Sequence, residues 1–318
     1  MRPFTPRLSS PGLTSSPRKK GLLAVLLCAM ATGCGTTEPG VGETAESTGT
    51  QDSALASTNG LSTNGLSTNG LSTNGLSTNG LSTNGLSTNG MFGSWFSEDP
   101  SRGDQVMKYI AFCALPSGQS LSYSHGGKTY TWTGLLGLAP GWAGGATATV
   151  AEQQVVSACL AAHVNKYGVH VDISVLGRSA TGAVIPTTSE ELAMFGQKEG
   201  CFFGNLFTNE GLFAANDAPY LNYDESTVRT CGLSSWSGDA DCLPAVRHVG
   251  QCSTYCTLDT SRNSYSRCTY NGKAYRPITT RIRASDIYTC GDGVCQLSES
   301  CGTGTTPDSC AADCGACG

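Results

Sequence analysis

The chain has 318 residues, 16 of them Cys and 41 Gly, and only 14% are charged, against roughly 25% in an average globular protein. That composition excludes a charged solenoid, a coiled coil and a nucleic-acid module. Five of its 19 bases, Arg2, Arg7, Arg18, Lys19 and Lys20, lie in a leader without acids, so the remainder sets 14 bases against 24 acids, a net charge of −10. A chain this acidic does not seek phosphate backbones.

Residues 1–20 are polar and basic and precede a 13-residue apolar run, Gly21 to Gly33. The run is too short to span a bilayer as a helix and has the plan of a secretory signal. Its end, Ala31-Thr32-Gly33-Cys34, resembles the lipobox of bacterial lipoproteins, in which the Cys is acylated and becomes the new N-terminus. The resemblance implies residues 1–33 as signal peptide and Cys34 as lipid anchor. Gly35 after it, rather than Asp, implies export to the outer membrane, on the cell surface or the periplasmic face. The alternative is an ordinary signal peptidase cutting after Ala31. Parity favours the lipid: without Cys28 and Cys34, 14 cysteines remain, a number that pairs completely in an oxidising compartment.

From Gly35 to Ala54 the chain is rich in Gly, Thr, Glu and Ser. Ala56-Ser57-Thr58-Asn59-Gly60 and six perfect copies of Leu-Ser-Thr-Asn-Gly follow, ending at Gly90. A pentapeptide β-helix fits poorly, because Asn stands where a small residue is needed and seven units fall short of the roughly three stacked coils a solenoid requires. With one apolar residue in five, burial does not offset the ordering entropy. Residues 34–103 therefore read as anchor and flexible tether, with Met91 to Arg102 a transition.

The cysteine-rich unit is expected over 104–285. Val106, Tyr109, Ile110 and Cys113 share a helical face, which predicts a helix from Asp104 to Leu115 with an acidic N-cap. Leu121, Tyr123 and His125, then Tyr130 and Trp132, alternate on either side of Gly126-Gly127, a hairpin pattern. A second helix is predicted from Val150 to Tyr167, stopped by Gly168, then a strand from Val169 to Val175 and a short helix opening at Ser189. Beyond Gly200 the chain reads as loop. Eight cysteines, Cys113, Cys159, Cys201, Cys231, Cys242, Cys252, Cys256 and Cys268, predict about four disulfides in an α+β, disulfide-rich domain. The runs Thr129 to Gly145, Val156 to Asn165 and Gly200 to Phe207 resemble a domain of uncharacterised cysteine-rich exported lipoproteins of myxobacteria, which implies secretion and domain limits but no active site.

Chemistry-bearing motifs are scarce. There is no Gly-x-Ser-x-Gly and no His-Glu-x-x-His, and the one Cys-x-x-Cys, Cys314 to Cys317, has no second to complete a zinc set. His163, His170 and Asp172 form the one cluster of ligand or acid/base types, with a core histidine and solvent-facing strand residues as the plainer alternative. Tyr130, Trp132 and Trp142 can make an aromatic platform for sugar or peptide, although aromatics beside Leu135, Leu136 and Leu138 also suit a core.

In residues 286–318 the cysteines Cys290, Cys295, Cys301, Cys310, Cys314 and Cys317 crowd together. So small a segment has no room for an apolar core and must be held by crosslinks, as a small cysteine knot. Its Cys290-Gly291-Asp292-Gly293-Val294-Cys295 run resembles short secreted repeats of bacterial surface proteins. That likeness implies calcium, with Asp292, Glu299, Asp308 and Asp313 as hard oxygen ligands; the alternative is solvated carboxylates on a plain knot. The whole reads as a noncatalytic, surface-tethered lipoprotein that meets the membrane through Cys34 and binds envelope or extracellular-matrix polysaccharide or protein. A secreted hydrolase of polysaccharide or peptide is the alternative.

Overall fold

A computed structural model describes residues 56–59, 61–62, 81–82, 86, 89–165, 171–208, 210–218, 246–287, 290–295, 299, 301–303 and 309–317. All belong to one compact unit spanning Gly49–Gly318. Cys34 and the signal segment lie outside the described residues, as do His170, Cys231, Cys242 and Asp308. No helix among the described residues is long and apolar enough to cross a membrane.

The fold is α+β and disulfide-rich, built in three layers. Its middle is a six-stranded sheet in the order β1-β6-β13-β7-β8-β9. These strands are β1 (Ala56–Asn59), β6 (Val171–Gly177), β7 (Gln197–Asn205), β8 (Gly211–Asn216), β9 (Arg247–Gln251) and β13 (Ile278–Ile282). Neighbours run antiparallel except β8 and β9, which are parallel. One face meets helix α4 (Val150–Ala162), on which α2 (Pro100–Ala114) packs in turn; Phe202, Leu212, Ala214 and Ile278 face that side. The other face meets a three-stranded sheet of β10 (Cys256–Leu258), β11 (Tyr265–Tyr270) and β12 (Lys273–Tyr275), through Phe203, Phe213, Tyr265 and Tyr275.

This double burial overturns the loop reading beyond Gly200. β7 and β8 carry continuous apolar runs, because side chains on both pleat faces are covered, and the alternation that marks a half-exposed strand is absent. The second predicted helix ends at Ala162 rather than Tyr167, with His163 as its C-cap. The chain leaves it at once as β5 (Val164–Asn165), which pairs in parallel with β2 (Leu61–Ser62). The predicted hairpin is present as β3 (Ser120–His125) and β4 (Lys128–Thr133), and the short helix as α5 (Ser189–Met194).

The N-terminal boundary is also earlier than Asp104. Beyond β1 and β2, the last two repeat units also enter the fold: Leu81 and Leu86 are buried, the Leu81 amide donates to the Trp142 carbonyl at 2.9 Å, and the Asn89 side chain caps α1 (Gly90–Glu98) by accepting from the amides of Met91 and Phe92. An Asn immediately before a helix satisfies amides that have no partner within it. Phe92 and Phe96, one helical turn apart, are fully buried, and Phe96 meets Tyr123, Tyr130 and Trp132 edge to face. Gly103 permits that approach, since a Cβ there would lie 2.7 Å from the Phe96 ring. The transition segment is thus a core helix. Helix α2 starts at Pro100 under an Asp99 cap, which frees Asp104 to accept from the Trp132 indole at 2.6 Å.

Glu152 joins the two ends of the helical layer. Its carboxylate accepts from the amides of Gly141 (2.7 Å), Trp142 (2.9 Å) and Thr149 (2.9 Å), and from the Thr149 hydroxyl (2.9 Å). Thr149 returns a capping bond to the Glu152 amide, so the box at the start of α4 is also the clasp that holds α3 (Pro140–Ala143). Burial alone would push this carboxyl up; the four donors outweigh it and hold the group below its ordinary 4.5.

Two outcomes test these contacts. Phe96→Ala should cost about 3–5 kcal/mol in denaturant unfolding, whereas a residue in a free tether would cost nothing. Glu152→Gln should cost about 2 kcal/mol at neutral pH. Because the folded pKa is depressed, the carboxylate stabilises above the ordinary 4.5, and the wild-type advantage should vanish as pH falls below that value.

Candidate functional site

The described disulfides number three in the layered unit and three in the tail. Cys113–Cys159 ties α2 to α4, Cys201–Cys252 ties β7 to α6 (Cys252–Tyr255), and Cys256–Cys268 crosslinks β10 and β11. In the tail Cys290 pairs with Cys310, Cys295 with Cys314 and Cys301 with Cys317. First joins fourth, second fifth and third sixth.

The acid/base candidates are not brought together. His163 is fully buried between the rings of Tyr109 and Phe112, with Nδ1 2.7 Å from the Cys159 carbonyl, to which it donates. Asp172 lies at the surface on β6 and pairs with Arg283 at 3.0 Å. The histidine is thus a core residue beside the Cys113–Cys159 bridge, and the aspartate an ion-pair partner.

Nor do the aromatics form a platform. Trp142 is 0% and Trp132 2% exposed, Trp142 packing edge to face on Phe207 and Trp132 giving its indole N–H to Asp104. Only Tyr130 reaches the surface, half-buried, with the Lys128 ammonium 4.4 Å from its ring centre. Large rings beside a leucine run are worth more inside than out.

In the tail, Asp313 spends both oxygens on backbone, accepting from the amides of Gly291 and Gly293. Asp292 accepts from the Val294 amide two residues on, an Asx turn, and a Glu299 oxygen lies 3.5 Å from Cys314 Sγ. Asp313 and Glu299 fall in separate clusters, each completed by cysteines already paired in disulfides. Among the described residues, the expected calcium ligands therefore do not converge on one point, and Asp313 acts as the acceptor that closes the Cys290–Cys295 turn.

One surface feature escaped the motif search. Strands β3 and β4 alternate large and hydroxylated residues, so that Leu121, Tyr123, Tyr130 and Trp132 face the helices while the outer face carries two rows of hydroxyls. The rows are in register: Ser120 opposes Thr133, Ser122 opposes Thr131, and Ser124 opposes Thr129. The hydroxyls touch across the strands at 3.2 Å (Ser122 and Thr131) and 3.0 Å (Ser124 and Thr129). All three threonines are exposed. Each touching pair spends one donor and one lone pair on its mutual bond, and a hydroxyl both donates and accepts. The spacing is about 4.8 Å across strands and about 6.8 Å along them. Such a face carries no charge and offers both donors and acceptors, which complements an uncharged polyol rather than an anion. Its sequence signal is Ser-x-Ser-x-Ser and Thr-x-Thr-x-Thr on either side of Gly126-Gly127, which the hairpin reading used only for its apolar half.

No curated protein and no solved structure matches the chain. A family model described as the GLTT repeat, with six copies, matches two overlapping spans, residues 56–82 and 65–92. Over its pentapeptide segment the chain is therefore similar to GLTT repeats.

Proposed function

We propose that this chain is an exported lipoprotein, anchored through acylated Cys34, that binds uncharged polysaccharide of the envelope or extracellular matrix without catalysing its turnover. The carrying observation is the register-matched hydroxyl face of the β3–β4 hairpin, held rigid from behind by Phe92, Phe96 and Tyr123. Rigidity matters because a preformed face spends little of its binding energy on ordering. The Cys113–Cys159 bridge supports this by fixing the helices on which the hairpin rests, at roughly 2–4 kcal/mol. The interleaved pairing of the tail suits a cysteine knot, and a disulfide-dense chain suits an oxidising compartment. The lipobox-like run Ala31 to Cys34 supports the anchor, and Gly35 an outer-membrane destination. The likeness of the runs Thr129 to Gly145, Val156 to Asn165 and Gly200 to Phe207 to myxobacterial lipoproteins supports export.

Two measurements test the reading. In cells fed labelled fatty acid the wild type should carry label and Cys34→Ala should not; an unlabelled wild type with Thr32 at its N-terminus sinks the anchor. In sedimentation with an insoluble neutral glucan and with extracted matrix polysaccharide, the exported chain should bind at least one, and Thr131→Arg should weaken that binding by at least about tenfold. Thr131→Ser, which keeps the hydroxyl, should bind like the wild type. Equal binding by the arginine variant removes the hydroxyl face from the argument, and release of soluble sugar during the assay would favour the hydrolase.

A further inference from the structure

Two disulfides meet between the central sheet and its three-stranded cover. Cys201 on β7 is bridged to Cys252 at the start of α6, and Cys256, the first residue of β10, is bridged to Cys268 directly opposite it on β11. Cys201 Sγ lies 3.4 Å from Cys256 Sγ, to which it is not bonded, and the sulfurs of Cys201, Cys256 and Cys268 are all within 4.8 Å of one another. Exposure separates the four: Cys201, Cys252 and Cys268 are 0% exposed, whereas Cys256 is half-buried, so an external group meets Cys256 first. Cys252 Sγ has a further neighbour, the Ala215 carbonyl oxygen at 3.0 Å. The β8–β9 ladder shifts register between Ala214 and Asn216, so β9 passes Ala215 over. A bridged sulfur has no hydrogen to give that oxygen; a thiol has one.

We propose that these four cysteines form a thiol–disulfide exchange centre, in which reduction at Cys256 is passed through its contact with Cys201 to Cys252. The reductant is a dithiol. One of its thiolates attacks Cys256 Sγ, the Cys256–Cys268 bond breaks, and Cys268 leaves as a thiolate that takes up a proton. The second thiol of the reductant then closes on the first, which frees Cys256 as a thiolate and leaves the reductant as its own disulfide. The Cys256 thiolate attacks Cys201 Sγ, which it already touches; the Cys201–Cys256 bond forms, the Cys201–Cys252 bond breaks, and Cys252 leaves with the electron pair and takes up a proton. Two electrons and two protons have passed from the dithiol to Cys252 and Cys268, and the number of disulfides in the pair has fallen from two to one. The Ala215 carbonyl favours this end state, because the new Cys252 thiol donates to it. Before exchange β7 is tied to α6, and afterwards to β10. The cover thus stays crosslinked to the sheet, while α6, and β9 just before it, lose their covalent tie to β7.

The test uses the full chain in native buffer. A limiting phosphine at about pH 4.5 cuts disulfides while few thiols are ionised, and raising the sample to about pH 8 then supplies the thiolate that exchange requires. Samples from both stages are blocked with a maleimide, digested and mapped by mass, with near-ultraviolet circular dichroism reporting that the protein is still folded. Molecules with two of these four cysteines blocked are scored. At the higher pH most of them carry blocked Cys252 and Cys268 and a Cys201–Cys256 crosslink. The proposal is overturned if any other pair predominates there, above all Cys256 and Cys268 beside an intact Cys201–Cys252 bridge, or if none of the four is blocked while the protein remains folded.

Discussion

The strands β7 and β8 need cover on both faces, and the rest of the molecule is arranged to supply it. Phe202, Leu212 and Ala214 point one way, Phe203, Phe213 and Ala215 the other. An open face of this kind would expose several large side chains to water at roughly 1.5–3 kcal/mol each. The helical side is covered by long elements that bury broad faces. The opposite side is covered by strands of three, six and three residues, too short to hold themselves as an independent sheet. Here the crosslinks matter most, with Cys201–Cys252 joining cover to β7 and Cys256–Cys268 closing the cover on itself. Two tyrosines fasten its ends: Tyr265 donates to Asp217 at 2.8 Å and Tyr275 to Glu210 at 2.9 Å. Burial, then those acceptors, push both phenols up, Tyr275 to about 12, so both remain donors throughout the neutral range.

On the helical side the corresponding join is ionic. Glu152 is buried and charged, and it is tolerated because four donors converge on it rather than because a base is near. Two of those donors belong to α3, whose Trp142 carbonyl in turn receives Leu81 of the repeat. The path from the start of α4 to the repeat thus runs through a few hydrogen bonds. It gives the tandem segment a defined point of departure from the folded unit.

What could be read without coordinates depended on how many faces an element shows to solvent. The hairpin and α4 each expose one side, so their alternation or helical spacing is visible in Leu121, Tyr123, Tyr130 and Trp132, or in Val155, Val156, Cys159 and Leu160. The run Cys201-Phe202-Phe203 has no such contrast and reads as nothing in particular, although it is the centre of the sheet. Helix α1 was hidden differently: it begins inside the last repeat, at Gly90, so its Asn89 cap looks like one more copy of a low-complexity unit. The aromatic platform failed because periodicity tells which residues share a face, but not whether that face is outside. Of the acidic residues in the tail, Asp292 and Asp313 accept from backbone amides of the glycine-rich turn beside them, a local pairing that residue type alone does not reveal. The hydroxyl rows were legible in principle, and were passed over because Ser and Thr attract notice mainly as turn or cap residues.

The pairing of the tail carries one more consequence. The spans 290–310, 295–314 and 301–317 overlap so that every peptide bond between Cys290 and Cys317 lies beneath at least one of them. A protease that cuts any single bond there releases nothing: both pieces stay joined through sulfur. The segment from Cys290 to Cys317 is therefore one that proteolysis cannot unravel one cut at a time.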